Sequence, residues 1–255
     1  MLEKQELLLI DISNSHTKMI KSTYSSLCGE VFSLPTHEFD LDTLNRLPFD
    51  IEKEEMRIVF SSVVPEKNKF IEDYFGIQRV LKVSSNLKLG FNIDYPHPET
   101  IGADRIANVV AASQFTEAPF IVVDFGTAVT FDIISKKNSY IGGVIAPGLA
   151  SMTDYMADRT ALLPKIDLHE PLSVIGKSTK EAMLSGAVIG YKGLVKGILA
   201  SIFDELGEGN IPVIATGGYS KLISSDIEEI IEVNERLTLE GLRIIAALNI
   251  QDENR

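Results

Sequence analysis

Asp124-Phe125-Gly126-Thr127-Ala128-Val129-Thr130-Phe131-Asp132 is the stretch on which the reading of this chain turns. A buried-strand run, Phe120-Ile121-Val122-Val123, leads into it, and a second β-prone segment leaves it and ends at Ile134. The pattern places a carboxylate at a strand end, followed by Gly and hydroxyl residues in a tight turn. Gly lets backbone N–H groups approach an anion closely, Thr127 and Thr130 offer donors, and Asp124 can hold a cation. Two readings fit the stretch alone: a phosphate–metal turn, or an ordinary β-hairpin with a polar turn.

The chain contains the turn twice. Leu7-Leu8-Leu9-Ile10-Asp11-Ile12-Ser13-Asn14-Ser15-His16-Thr17-Lys18 repeats the order of apolar strand, Asp, small polar turn and returning strand. At a constant offset of 113 residues (124 − 11), Asp11 falls on Asp124, Ile12 on Phe125, Ser13 on Gly126 and Thr17 on Thr130. A repeat of domain length points to two similar halves rather than a solenoid. Two such hairpins suggest a two-lobed molecule gripping a phosphate compound, a pattern that resembles the acetate and sugar kinase/Hsp70/actin superfamily. The expected fold is α/β, with two duplicated ribonuclease-H-like (actin-like ATPase) domains and mixed sheets. Residues 1–115 would carry the first phosphate loop and the substrate segment, and 116–255 the second phosphate loop and the adenosine loop.

Bulk properties narrow the function classes. A hydrophobic share of 45% and a charged share of 24% are ordinary for a globular protein. The net charge of −12 disfavours sequence-independent nucleic-acid binding, which needs Lys and Arg against phosphates. Cys28 is the only cysteine, which excludes an intrachain disulfide and a cysteine-rich zinc site. The opening Met1-Leu2-Glu3-Lys4-Gln5-Glu6 is charged too early for a signal peptide. The apolar helix expected over 182–203 carries Lys192, Lys196 and several Gly, so it does not read as a membrane span. The expected compartment is the cytoplasm, with no membrane partner.

Strands are expected over Arg57–Val64, Arg79–Val83, Tyr140–Ile145 and Pro212–Ala215, and helices over 66–75, 103–115 and from Leu149 toward Arg159. Residues 22–55 are weakly patterned, apart from a helix-like 41–47. Pro96 and Pro98 force an extended or turning path before Gly102 opens the 103–115 helix. Asp104 and Arg105 fall in its first turn, where the helix dipole favours an ionised acid and would make Asp104 a weak base. His97 lacks a second ligand at metal spacing. Gly176-Lys177-Ser178-Thr179 is no P-loop tail, because Pro171 stands where that motif needs Gly; Ser178 and Glu181 read as a capping box instead. Gly186, Gly190, Gly193 and Gly197 are expected to permit close helix packing. Thr216-Gly217-Gly218 would let a flat ring or a phosphate pass close to the backbone. The last helix begins near Thr238, and the tail after Ile250 is polar.

Taken together, Asp11-x-x-Asn14-x-x-x-Lys18, Gly102-Ala103-Asp104-Arg105, the Asp124 turn, Gly142-Gly143-x-Ile145-Ala146-Pro147-Gly148, Gly176-Lys177-x-Thr179 and Thr216-Gly217-Gly218 resemble type III pantothenate kinase from about residue 7 to 248. That resemblance implies ATP-dependent phosphorylation of pantothenate to 4′-phosphopantothenate, the first step of coenzyme A biosynthesis, by a homodimer. It implies that Asp11, Ile12, Ser13, Asn14, Ser15, His16, Thr17 and Lys18 contact ATP phosphates, with Asp11 near Mg2+. Tyr95, Gly102, Ala103, Asp104, Arg105 and Thr179 would bind pantothenate, and Asp104 would accept its hydroxyl proton. Asp124 would hold a monovalent cation, K+ or NH4+, Thr127 would contact phosphate, and Gly217 and Gly218 would border the adenosine. Ser13 departs from the family's usual Gly, so Ser13→Gly is expected to lower the KM for ATP. The rival class is a non-catalytic nucleotide-binding regulator resembling an accessory transcription activator on the same fold.

Overall fold

A computed structural model of the chain describes residues 5–51, 56–209 and 211–250. The readings made on residues 1–4 and on the tail after Ile250 lie outside the described residues. The chain divides into two compact units, residues 1–114 with 236–255, and residues 115–235.

In the first unit the central strand is β1 (Leu7–Ile12), all six residues of which are buried. Its unbroken apolar run is what a strand covered on both faces requires. Antiparallel β2 (His16–Ser22) and β3 (Leu27–Pro35) follow on one side, and parallel β4 (Arg57–Ser62) and β5 (Val80–Lys82) on the other, giving the order β3-β2-β1-β4-β5. Helices α1 (Leu41–Asn45) and α2 (Pro65–Phe75) belong to this unit. A two-residue strand, β6 (Asn92–Ile93), precedes α3 (Ala103–Ala112). One face of β1 and β4, with Leu8, Ile10, Ile58 and Phe60, packs with Phe39, Ile71 and Phe75. Side chains alternate across a strand, so Leu7, Leu9, Asp11 and Ser61 point to the opposite face, the one available to α3 and the final helix α7 (Leu237–Ile250).

The second unit repeats the plan. Central β7 (Phe120–Phe125) pairs antiparallel with β8 (Ala128–Ser135), which pairs with β9 (Ser139–Pro147). Parallel β10 (Val213–Thr216) and β11 (Ile230–Val233) lie on the other side of β7, giving the run β11-β10-β7-β8-β9. Alongside α4 (Leu149–Arg159) and α6 (Ser220–Ser224), the 28-residue α5 (Thr179–Leu206) packs Leu184, Val188, Tyr191, Val195 and Leu199 against Ile121, Val123 and Val213. By length and composition α5 could cross a membrane; in this fold it is the core helix of its unit.

The duplicated mixed-sheet α/β fold expected from the repeated turn is therefore present, and four details differ from the sequence reading. Residues 236–255 group with the first unit: α7 crosses α3 so closely that a Cβ on Gly241 would lie 1.9 Å from the Ala107 carbonyl oxygen. The 103–115 helix stops at Ala112, with Ser113 as its cap. Strands β3 and β11 went unread: β3 buries only one of its nine residues, and β11 is four residues long with none fully buried. Gly186, Gly190, Gly193 and Gly197 meet nothing within 4 Å and line the exposed side of α5 rather than a packed crossing.

Candidate active site

Two carboxylates meet in the first unit. Asp11 is the penultimate residue of β1, on the face available to α3, and Asp104 stands in the first turn of α3, close enough to repel it. Asp11 is only 5% exposed. Burial, followed by the Asp104 charge, pushes its pKa up to about 6, against the pull of Ser61, Lys18 and Ser13. The Ser61 hydroxyl, itself fully buried, donates to Asp11 Oδ1 at 2.8 Å. The residues of the first turn play different parts: Ile12 is core, whereas Asn14, Ser15 and His16 are exposed at the tip.

Thr36, just beyond β3, ties that tip down. Its hydroxyl donates to the Ser13 carbonyl (2.7 Å) and lies 3.1 Å from the Thr17 hydroxyl, while its N–H donates to Ser15 O (3.0 Å). The sequence reading missed both Ser61 and Thr36. The Arg57–Val64 strand was legible, but its register against β1, which sets Ser61 beside Asp11, was not.

Asp104 behaves differently from the expectation drawn from its helix position. Its Oδ1 accepts the Arg105 N–H at 2.8 Å, and the Arg105 guanidinium also favours the charge. Loss of hydration outweighs both, and its pKa is raised. Asp104 is thus a stronger base than a dipole-stabilised acid would be. Gly102 caps α3, and a Cβ there would come within 2.5 Å of Asp104 Oδ1, so a glycine leaves room for that carboxylate. Ala103 is buried in the same turn, and Tyr95 is partly exposed on the loop before it.

In the second unit the turn after β7 is built by close backbone packing. Asp124 faces Thr130 on β8 and Thr216 on β10. The register corrects the constant-offset alignment: Asp11 faces Lys18, seven residues on, whereas Asp124 faces Thr130, six residues on. Lys18, not Thr17, is therefore the positional counterpart of Thr130. The Thr127 carbonyl accepts from Gly148 N (3.1 Å) and the Ser151 hydroxyl (2.7 Å) at the start of α4. A Cβ on Gly148 would lie 2.3 Å from that carbonyl oxygen. Gly217 has φ +93°, and a Cβ on it would meet Asp124 Oδ1 at 2.5 Å and Phe125 backbone at 2.6 Å. Gly217 is thus demanded by its own chain, whereas Gly218 borders open space.

Thr179 is exposed at the first position of α5. The capping box expected there forms in a shifted version: Ser178 Oγ accepts Glu181 N–H (3.3 Å), and Glu181 reaches back to Lys177 N–H (2.6 Å). In a separate cleft, lined by Glu170, Leu172, Lys192, Lys196 and Asp226, the buried Lys192 is neutralised by its own ion pairs. Lys192 donates there to both Glu170 oxygens (3.0 Å each) and to Asp226 (2.6 Å).

The family model of type III pantothenate kinase matches residues 7–201. The chain belongs to the type III pantothenate kinase family. It is 48% identical over 243 residues to the type III pantothenate kinase of Akkermansia muciniphila, covering 95% of this chain and 99% of that one. To the type III pantothenate kinase of Methylacidiphilum infernorum it is 40% identical, with coverages of 98% and 91%. Solved structures with the same fold include the inorganic polyphosphate/ATP-glucomannokinase of an Arthrobacter species (TM-score 0.53, 14% identity, 96% and 99% covered). A Campylobacter jejuni chain described as a conserved Baf family transcriptional activator gives a TM-score of 0.58 at 19% identity, with 97% and 100% covered. Identities this low carry the fold alone. Membership of the type III pantothenate kinase family rests on the 40–48% relatives and the family model, which favour the enzyme over the regulator.

Proposed function

We propose that the chain transfers the γ-phosphoryl group of ATP to the primary hydroxyl of pantothenate, giving 4′-phosphopantothenate and ADP. The observation that carries this reading is near-full-length identity of 48% to a type III pantothenate kinase. Asp104 is the group that accepts the hydroxyl proton, and its raised pKa suits that work. Phosphoryl transfer asks mostly for positioning and charge stabilisation. Asp11 to Lys18 and Thr127 would contact phosphate, and Gly217 and Gly218 would border adenosine. Tyr95, Gly102, Ala103, Arg105 and Thr179 would hold pantothenate.

The residues fit a divalent cation at Asp11: a buried carboxylate beside a second one resists ionisation until a positive charge arrives. Among the described residues no group of three or more His, Cys, Asp or Glu forms a metal cage, which suits Mg2+ held by one carboxylate together with nucleotide phosphates. Bound there, Mg2+ would supply charge neutralisation for the phosphates. Asp124 would take the monovalent cation. A homodimer is supported by the exposed side of α5, where Ala182, Gly186, Gly190, Gly193 and Gly197 flank Ile189 and would admit a second copy closely. The compartment is the cytoplasm, and the charge of −12 suits neither nucleic acid nor an anionic membrane surface.

The test is product identification. Incubation with pantothenate, ATP, Mg2+ and K+ should yield 4′-phosphopantothenate by mass spectrometry, with less of it when Na+ replaces K+. Nucleotide consumption without that product would reject the substrate assignment.

A further inference from the structure

We propose that Ser61 is a positioning residue for nucleotide binding: its buried hydroxyl fixes the Asp11 carboxylate in the orientation that receives the cation–phosphate group. The inference rests on the functional reading above. Three observations carry it. Ser61 is fully buried, and its Oγ donates to Asp11 Oδ1 at 2.8 Å, so the hydroxyl serves an acidic partner rather than solvent. The bond follows from sheet register, because parallel β4 places Ser61 directly beside Asp11 and on the same face. The second unit repeats the placement: on parallel β10 a hydroxyl residue, Thr216, stands in register with Asp124 and is 2% exposed.

The pairing has a chemical rationale. A lone carboxylate at a strand end can rotate about χ2, and its lone pairs can meet a cation from several directions. A hydrogen bond to one oxygen removes that freedom and leaves the group set for a single mode of ligation. Partners of this kind outside the ligand set are worth about 10- to 100-fold in metal affinity or activity. An ordinary core serine contrasts with this, since its hydroxyl would bond a backbone carbonyl of its own strand or turn. The partly buried Ser62 does so one residue later, donating to Val64 O at 3.1 Å.

The experiment compares wild type, Ser61→Ala, Ser61→Thr and Ser62→Ala. Calorimetry measures binding of a non-hydrolysable ATP analogue with Mg2+ and with EDTA, and thermal melting confirms the fold of each variant. The expected result is analogue binding about 10- to 100-fold weaker for Ser61→Ala in Mg2+, with little change in EDTA. Ser61→Thr, which installs the residue found at the matching position of the other sheet, should restore binding, and Ser62→Ala should match wild type. If Thr is too large for the site and the variant fails to fold, the Mg2+-against-EDTA contrast of Ser61→Ala decides alone. Binding by folded Ser61→Ala within twofold of wild type would overturn the proposal. So would an equal loss with and without Mg2+, which marks a structural serine. Pantothenate phosphorylation by the wild type is read separately: its absence, with Mg2+-dependent analogue binding intact, would reject the substrate and leave the Ser61 inference standing.

Discussion

The β1–β2 and β7–β8 hairpins occupy the same place in runs of five strands with matching order, yet they hold their aspartates by different means. Asp11 is buried, bonded to Ser61 and set against a second carboxylate, so the fold resists its charge. Asp124 is less buried, and the turn around it is one residue tighter and packed against the backbone of Gly148 and Gly217. The contrast teaches that one copy of a duplicated motif can keep its electrostatic part while the other becomes a matter of volume. The first hairpin should therefore respond most to changes of charge, and the second to changes of size.

The largest effect expected from this comparison is at Gly217. Gly217→Ala combines a φ of +93° with a Cβ 2.5–2.6 Å from Asp124 and the Phe125 backbone, and should cost more than about 3 kcal/mol. Urea unfolding would show it, and a loss below about 1 kcal/mol would mean the turn is looser than its packing indicates.

Asp11→Asn should act in the opposite direction. With a folded pKa of about 6 against the ordinary carboxyl value of 3.8, folded Asp11 binds more protons than the unfolded chain between those values. Its ionised form is therefore a cost that grows as pH rises from about 4 to 6 and stays in full above that. Removing the charge should raise stability at pH 7 by up to about 3 kcal/mol, with the gain vanishing near pH 4, while nucleotide binding is lost. A variant less stable than wild type at pH 7 would contradict the electrostatic account of this hairpin.

Gly102→Ala places a Cβ 2.5 Å from Asp104 Oδ1, a side-chain atom that can swing away. The expected result is a kcat about tenfold lower, roughly 1.4 kcal/mol of barrier, with a melting temperature close to that of wild type. An unchanged kcat would show that the carboxylate needs no such room. The smallest effect concerns Ser13. Its hydroxyl helps to hold Asp11 ionised, and among the described residues the only non-glycine residue with positive φ is Asn138, so Ser13 has no need of glycine's freedom. Ser13→Gly should raise the KM for ATP slightly, by less than about threefold (under 1 kcal/mol), rather than lower it as the sequence comparison suggested. A lower KM would restore the steric reading.

Much of the fold was legible because its central strands are unbroken apolar runs ending in Asp, and because that pattern recurs at domain spacing. Strand β3 was not, since only one of its nine residues is buried and it offers no alternation to read. The placement of α7 depended on a single close crossing at Gly241, which leaves no periodic trace. At the site, the residue types of Asp11, Asp104 and Asp124 could be read directly. Their environments could not. Burial reversed the expected shift at Asp104, and the Ser61 partner of Asp11 follows from a strand register spanning fifty positions.

The central claim is that Asp104 is the proton acceptor in phosphorylation of pantothenate. It is tested most directly by pantothenate-dependent ADP release, measured side by side for wild type and Asp104→Asn with Mg2+ and K+ present. The account predicts turnover by the wild type that depends on pantothenate, and a kcat about 10²- to 10⁴-fold lower for a variant with an unchanged melting profile. Near-normal turnover by Asp104→Asn, or ADP release indifferent to pantothenate, would contradict it.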